Sequence, residues 1–414
     1  MKTSFPKNKI EIVLFESIHS DGVAELEQAG FSIRTHKGAL EGDALIQEIK
    51  RAHVVGIRSK TQLTAEVLEQ CERLLAVGCF CAGTNQVALG TAAAAGVPVF
   101  NSPFSNTRSV AELTIAEIVC LHRRVTERSA GAHKGEWHKT AIGSHEVRGK
   151  TLGIVGYGHI GSQISVLAEA MGMRVIYYDV ASKLPLGNAN QSDSLDALLA
   201  ESDVVTLHVP ETGTTKGLIG ATELAKMKPG SYLINNARGT VIDLDALADA
   251  ITNKHLAGAA LDVFPDEPAK AGEMFSSPVQ GLPNVILTPH IGGSTVEAQR
   301  AISVDVAQKI ERFVDTGSTM GAVNTPEVDL PAQAGGVDGA MRAQRILNFH
   351  RNVPGVLGQI HRAAGELGVN VSGQYLRTFE DIGYVVIDVD PSDGESFVER
   401  INAIPETIRT RVLW

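Results

Sequence analysis

One stretch, Thr151 to Asp179 (TLGIVGYGHIGSQISVLAEAMGMRVIYYD), constrains this chain more than any other. It opens on a short apolar run of the kind that makes a strand buried on both faces. Gly156, Gly158 and Gly161 then spell G-x-G-x-x-G. After them Ile160, Ile164, Leu167, Ala168 and Met171 recur at helical spacing, Gly172 ends the helix, and Arg174–Tyr178 supplies a second strand closing on Asp179. The whole is a βαβ unit. Gly156 allows a tight turn, Gly158 lets backbone approach a pyrophosphate, and Gly161 lets the helix pack close to the strand, so the helix N-terminus faces the diphosphate. Asp179 stands about twenty residues on, where a carboxylate accepts hydrogen bonds from ribose hydroxyls and repels a 2′-phosphate. NAD is therefore favoured over NADP. Glycines alone are weak evidence; the strand before, the helix after and the acid at the right distance give the motif its force.

The 414 residues suffice for two or three domains, and 43% hydrophobic content supplies their cores. A net charge of −10 argues against nucleic acid or an anionic membrane as partner, while local cations could still hold an anionic substrate. With no leader and no apolar run long enough to span a bilayer, the cytoplasm is the expected location. Cys71, Cys79, Cys81 and Cys120 include no C-x-x-C, so reduced core thiols are expected and no metal site. Cys79 and Cys81, two apart, would share one face of a strand.

Before the dinucleotide unit, residues 11–101 alternate short apolar strands with helical segments at Asp43–Arg51, Thr64–Glu72 and Thr84–Ala95, which predicts a parallel α/β domain. Ser109 to Val125 reads as one long helix with an apolar stripe wide enough to lie between domains or subunits. From 151 to about 292 the βα alternation resumes, with strands ending in polar residues. Another helix spans Glu297 to Phe313. Pro326, Pro331, Gly335, Gly336 and Gly339 then mark a hinge or linker. Beyond it, strands at Arg345–Arg351, Val369–Thr378, Ile382–Val389 and Thr407–Leu413, with helices at Gly355–Leu367 and Glu395–Ala403, give the βαββαβ order of a ferredoxin-like layout.

In open α/β sheets ligands sit beyond the carboxyl ends of the strands. Three such ends offer a reactive residue each: Arg238 in NNARG, Glu267 in DVFPDEP and His290 in TPHIGGST. Together they supply what oxidation of a 2-hydroxy acid requires. His290 has the best ordinary pKa for taking the hydroxyl proton, Glu267 would orient and stabilise its imidazolium, and Arg238 would clamp the substrate carboxylate. Separately each could be a loop residue, a turn carboxylate or a capping cation; behind a dinucleotide motif the combination is hard to read otherwise.

With these motifs the chain resembles the D-isomer-specific 2-hydroxyacid dehydrogenases, nearest the ACT-bearing branch that oxidises D-3-phosphoglycerate. The likeness covers nearly the whole chain, through HKGAL (36–40), GIRSKTQLT (56–64), GCFCAGTNQV (78–87), FNSPFSNTRSVAEL (100–113), HVPET (208–212) and KMKPGSYLIN (226–235). It implies a Rossmann domain (106–292) inserted in a flavodoxin-like substrate domain (1–105 and 293–330), a linker (331–341) and a ferredoxin-like ACT domain (342–414). It implies catalytic Arg238, Glu267 and His290, and NAD contacts at Gly156, Gly158, His159, Ile160, Gly161, Asp179, His208, Asn236, Ala237, Arg238, Asp262, His290, Gly292 and Gly293. Substrate contacts are implied at Arg58, Ser59, Asn106 and Gln299, for 3-phosphoglycerate and 3-phosphohydroxypyruvate, and Lys60 joins them as a local cation that an acidic protein needs for so anionic a substrate. Lys37 and Lys139 are further candidate cations, though exposed lysines usually contact nothing. His350, Asn352 and Asn370 are implied as L-serine contacts; read without the resemblance, Asn352 caps a helix and Asn370 ends a strand. Trp137, matching a tryptophan that reaches into a neighbouring subunit in the family, is an interface anchor or is packed locally. A homo-oligomer, a tetramer, is expected. Two departures stand out: residues 332–344 make a longer linker, and Asn236 replaces a smaller residue.

Rival readings are a dehydrogenase of another 2-hydroxy acid, with 2-oxoglutarate reduction as a second activity, a dinucleotide-sensing co-repressor, and an amino-acid sensor with a vestigial catalytic domain. Arg58 and Lys60 speak against glycerate as the substrate, while 2-oxoglutarate, whose two carboxylates mimic phosphate plus carboxylate, stays plausible as a second activity; the C-terminal unit speaks against the co-repressor, and the retained Arg238, Glu267 and His290 against the vestigial sensor.

Overall fold

The computed structural model describes residues 6–268, 272–331, 343–390 and 394–413. Its apolar runs become three sheets. The first holds β1 (Glu11–Leu14), β2 (Ser32–Thr35), β3 (Val54–Ile57), β4 (Ala76–Cys79) and β5 (Val99–Phe100). All pairs are parallel and the order is β2-β1-β3-β4-β5, a doubly wound arrangement. β3 and β4 are buried along their whole length, as strands covered by helices on both faces must be. Part of that cover comes from the far end of the chain. Gly78 has no side chain where Val306 and Ile310 of the helix Val296–Thr316 press in, at 2.9 and 2.8 Å from the position a Cβ would take.

Two helices here are shorter than their periodicity predicts, Ala65–Leu68 and Leu89–Ala94. Leu63 forms a parallel bridge with Val87 and takes the Gln86 carbonyl, which pulls Gln86–Ala88 out of any helix. β4 stops at Cys79, so Cys81 does not share its strand; its thiol instead donates to the Gly83 carbonyl and accepts from Gln86. All four cysteines are free, and burial pushes the Cys71 and Cys81 thiols up to about 11, the range of inert thiols.

The second sheet comprises β6 (Thr151–Val155), β7 (Arg174–Tyr178), β8 (Asn190–Gln191), β9 (Val204–Leu207), β10 (Tyr232–Asn235), β11 (Gly258–Leu261) and β12 (Val285–Leu287). It too is parallel, in the order β12-β11-β10-β9-β6-β7-β8. The winding reverses between β6 and β9, and a crevice opens at such a switch point. The expected single helix over Ser109–Val125 is two, Thr107–Arg123 and Val125–His133. Arg124 takes a left-handed backbone (φ 51°, ψ 41°) and its N–H closes the first helix on the Cys120 and Leu121 carbonyls. Glu127 fixes the new direction by pairing with the Arg124 guanidinium at 2.6 Å and accepting the Asn284 N–H at 2.6 Å. The wide apolar stripe of the first helix finds partners inside its own unit: Ala111, Ile118 and Leu121 pack with Ile154, Ile164 and Ala168.

The third sheet is antiparallel, β14-β15-β13-β16, from β13 (Gln344–Arg351), β14 (Val371–Phe379), β15 (Ile382–Val389) and β16 (Thr407–Leu413). With helices Val356–Leu367 and Gly394–Asn402 the element order is βαββαβ. Ile346, Val385 and Ile387 pack under the helices, while Leu347, Phe349 and Tyr384 on the other face meet Val328 and Leu330. Polar anchors hold that second face. Tyr384 donates to the Gly317 carbonyl at 2.7 Å, and Arg345, paired with Asp388 at 2.8 and 2.9 Å, donates to the Thr316 and Pro331 carbonyls. The expected linker lies, from 332 onward, outside the described residues.

By its internal contacts the chain falls into two compact units, Asn106–Ala298 and the chain on either side of it. Among the described residues no helix is long and apolar enough to cross a membrane.

Candidate active site

The glycine loop follows β6. Gly156 has φ +94°, and a Cβ there would lie 2.5 Å from the His208 carbonyl oxygen, so only glycine allows the β6 and β9 tips to meet. A Cβ on Gly161 would lie 2.3 Å from the Gly156 oxygen, which shows how tightly the helix His159–Ala170 starts against the loop. Around Gly158 nothing lies within 4 Å of that position. The loop is thus closed on its protein side and open where a diphosphate would approach the helix N-terminus, with His159 and Ile160 as its first residues. Asp179 is held in place by two backbone donors, Tyr157 N–H at 2.8 Å and Ala181 N–H at 2.9 Å. His208 bonds Thr206 through Nε2 at 2.8 Å, and burial drives its pKa down to about 3, so the ring is neutral. Its Nδ1 is buried with no partner among the described residues, a polar atom beside the loop that a bound group can satisfy. These features fit a dinucleotide.

Arg238, Glu267 and His290 follow β10, β11 and β12, three adjacent parallel strands. His290 Nδ1 lies 2.8 Å from Glu267 Oε2, and Glu267 Oε1 accepts the Phe264 N–H at 3.1 Å. The carboxylate is thereby fixed at both oxygens, and the imidazole presents Nε2 outward. The hydrogen bond to Glu267 raises the His290 pKa above its ordinary 6.5, against the opposing pull of burial. Burial would lift Glu267, but the His290 bond and charge, the Phe264 N–H and Arg238 outweigh it and leave its pKa lowered. His290 sits in the left-handed region at φ 54°, a backbone that the surroundings must impose.

The imposing group is Asp262. Its carboxylate accepts the Thr288 hydroxyl at 2.6 Å and the Ile291 and Gly292 N–H groups at 2.8 and 2.7 Å, which spans His290 from both sides. Gly239 makes a second clamp: a Cβ there would lie 2.0 Å from the Phe264 carbonyl carbon, so its absence lets the Arg238 turn lie against the strand leading to Glu267. Asn235 shapes that turn by accepting the Ala237 N–H and donating to the Arg238 carbonyl, and Arg238 Nη1 donates to Ala237 O at 2.7 Å.

Asn236 reaches the other way, donating to Glu117 Oε2 at 2.7 Å and Thr114 Oγ1 at 3.0 Å of the helix Thr107–Arg123. Burial pushes Glu117 up to about 7, so this carboxyl is substantially protonated near neutrality. Glu117 and Thr114 escaped sequence reasoning; the available signal was an acid within an apolar helical stripe. Asn106 begins the same helix and touches Gly293, with its Nδ2 2.7 Å from that residue's Cβ position.

The remaining candidate substrate residues belong to the other unit. Arg58, Ser59 and Lys60 follow β3, and Gln299 lies in the helix Val296–Thr316. Glu16, also unforeseen, organises that loop: it accepts the N–H groups of Arg58 (3.1 Å), Lys60 (3.0 Å) and Thr61 (2.8 Å). Glu16 and Ser17 have positive φ, and Ser17 Oγ donates to the Lys37 carbonyl, which brings the Lys37 turn beside the same loop. Lys139 is exposed, and Trp137 leaves 86% of its surface in solvent.

Of the three candidate effector residues, the structure brings together two. His350, buried against Gly383 and bonded to Asn348, is two residues from exposed Asn352, which donates to the Glu380 carbonyl. Asn370 bonds Asp390 at the opposite end of β15, an eight-residue strand that spans about 25 Å.

Comparison with known proteins gives a consistent picture. Residues 115–292 match the family model described as D-isomer specific 2-hydroxyacid dehydrogenase, NAD binding domain. The chain is 52% identical to D-3-phosphoglycerate dehydrogenase of Escherichia coli strain K12, covering 100% of both chains. It is 50% identical to the enzyme of the same name from Dictyostelium discoideum, over 100% of this chain and 99% of the relative. Among solved structures, D-lactate dehydrogenase from Aquifex aeolicus, complexed with NAD and lactic acid, aligns with a TM-score of 0.64 at 31% identity, covering 73% of this chain and 95% of the other.

Proposed function

The chain belongs to the D-isomer-specific 2-hydroxyacid dehydrogenases, and from that membership we propose that it oxidises D-3-phosphoglycerate to 3-phosphohydroxypyruvate, the first step toward L-serine. It is an NAD-dependent dehydrogenase, and bound NAD supplies the hydride acceptor. The observation that carries the catalytic reading is the His290–Glu267 pair at 2.8 Å beside the Arg238 turn. As the C2 hydrogen leaves with its electron pair, His290 Nε2 takes the hydroxyl proton and a C2 carbonyl forms. Glu267 stabilises the imidazolium in place, and Arg238 holds the substrate carboxylate and polarises the C2 oxygen. Gly156, Gly158 and Gly161 admit the diphosphate, and Asp179 takes the ribose hydroxyls. Arg58, Ser59, Lys60, Asn106 and Gln299 bind substrate, with the two cations answering the phosphate.

The C-terminal unit we read as a ferredoxin-like ACT domain that binds L-serine between two copies, His350 and Asn352 from one and Asn370 from the other. Their separation within one chain supports that arrangement. So does the edge strand β14, where Tyr375, Leu376 and Phe379 are each about two-fifths exposed. Exposed Trp137 supports a second contact between subunits and hence a tetramer, within the cytoplasm.

The test follows NADH oxidation by the full chain with 3-phosphohydroxypyruvate while L-serine is titrated. Turnover that falls as serine rises is the expected result. Turnover indifferent to serine removes the effector reading; no turnover removes the substrate, and 2-oxoglutarate is then the compound to assay. The nucleotide assignment has its own check: Asp179→Ala should lose roughly tenfold of the preference for NAD over NADP in kcat/KM, the worth of one charged hydrogen bond. An unchanged ratio would remove the ribose contact.

A further inference from the structure

A cavity of about 410 Å³ opens where β16 of the C-terminal sheet meets the segment leading into β4. Arg73, Arg409, Arg411 and His53 line it, with Glu72 as its one acidic wall among the described residues. Three guanidinium groups around one space repel each other unless an anion lies between them. The hydrogen bonds of Arg409 and Arg411 go to neutral acceptors. Arg409 donates to the Leu74 and Glu72 carbonyls, and Arg411 Nη2 donates to the Val314 carbonyl at 3.0 Å. Arg411 Nη1 is buried with no partner among the described residues, although such a donor is costly to leave unmet. The Asp315 charge acts to raise the Arg411 pKa; its Oδ2 pairs with Lys7 at 2.7 Å, and its Oδ1 is buried with no partner among the described residues.

His53 adds polarity without charge. It accepts the Glu11 N–H through Nδ1 at 3.0 Å; burial first, then Arg73 and Arg411, lower its pKa, while Glu11 opposes them. Burial brings Arg411 down to about 10 and also lowers Arg409, yet Arg411 remains charged at neutral pH.

We propose that this cavity is a binding site for a small phosphomonoester, held by Arg73, Arg409 and Arg411 at the seam between the C-terminal sheet and the first sheet. Fork-shaped guanidinium groups suit phosphate oxygens, and the volume lies in the range of metabolite sites while exceeding what inorganic phosphate fills. The residues are distinct from those assigned to catalysis, so the site would add a ligand to the enzyme rather than describe its substrate.

Calorimetric titration of the full chain with glycerol 2-phosphate and, in parallel, inorganic phosphate tests this. Saturable monoester binding is expected, weakened at least tenfold by Arg73→Glu on the exposed rim and by Arg411→Gln, and retained in Arg58→Ala. Binding that disappears in Arg58→Ala and persists in Arg73→Glu would place the ligand at the substrate loop and overturn the proposal. Absence of saturable binding to the unaltered chain also overturns it, as does binding of inorganic phosphate alone. Arg73→Glu keeps the test sound should Arg411→Gln fail to fold.

Discussion

His290→Ala should lower kcat roughly a thousandfold while leaving NAD affinity within a factor of about two, because general-base catalysis contributes on that scale and the imidazole is not what fixes the nucleotide loop. The prediction rests on geometry: Nδ1 is committed to Glu267 at 2.8 Å, so Nε2 is the ring atom that can take a substrate proton. His290 also holds a left-handed backbone, at φ 54°, which alanine adopts reluctantly. His290→Asn separates the two causes, since asparagine tolerates that backbone and cannot act as the base. A comparable loss in both variants, by steady-state kinetics, assigns the effect to proton transfer; near-normal kcat in either would end the assignment.

Glu267→Gln should cost about a hundredfold in kcat/KM and should displace the pH profile. The carboxylate raises the His290 pKa above 6.5, so its removal lowers that pKa. In the oxidation direction His290 must be unprotonated, and the rising limb therefore moves to lower pH in the variant, with a reduced plateau. In the reduction direction it must be protonated, and the falling limb moves the same way. A profile that only drops, without moving, would mean Glu267 does not tune His290. The pair also leaves a stability signature of defined sign. His290, raised when folded, contributes fully below 6.5 and loses its contribution as pH rises through the folded value. Glu267, lowered when folded, contributes above 4.5 and loses its contribution as pH falls through the folded value. The pair is thus most stabilising between those limits, by an amount that solvent exposure keeps small.

The parallel strands and their polar ends were legible in the sequence because strand periodicity is local and the placement of ligands at carboxyl ends follows from topology. Arg238, Glu267 and His290 could be picked out although 29 and 23 positions of chain separate successive members. What stayed hidden depended on partners far away in sequence. The helix break at Arg124 carries no glycine and is set by Glu127 holding Asn284. Asn236 is visible as a bulky residue in its turn, but its bond to Glu117 exists only once β10 and the helix Thr107–Arg123 pack together. The helix start at Leu89 was placed too early because the Leu63–Val87 bridge outcompetes local propensity, and the end at Leu68 too late because the chain there goes over to i→i−3 turns, Gln70 to Val67 and Cys71 to Leu68.

Glu16 has a consequence for how this enzyme tells anions apart. A loop that cradles phosphate with successive backbone N–H groups reads its tetrahedral shape, and discriminates against flat groups of the same charge. Here the N–H groups of Arg58, Lys60 and Thr61 are already occupied by the Glu16 carboxylate. Those three donors are withdrawn from any anion at this loop, which leaves it fewer shape-reading groups than an unfilled cradle would offer. If substrate binds here as proposed, the expected result is weaker discrimination between phosphate and carboxylate, read by comparing 2-oxoglutarate with 3-phosphohydroxypyruvate in the same assay.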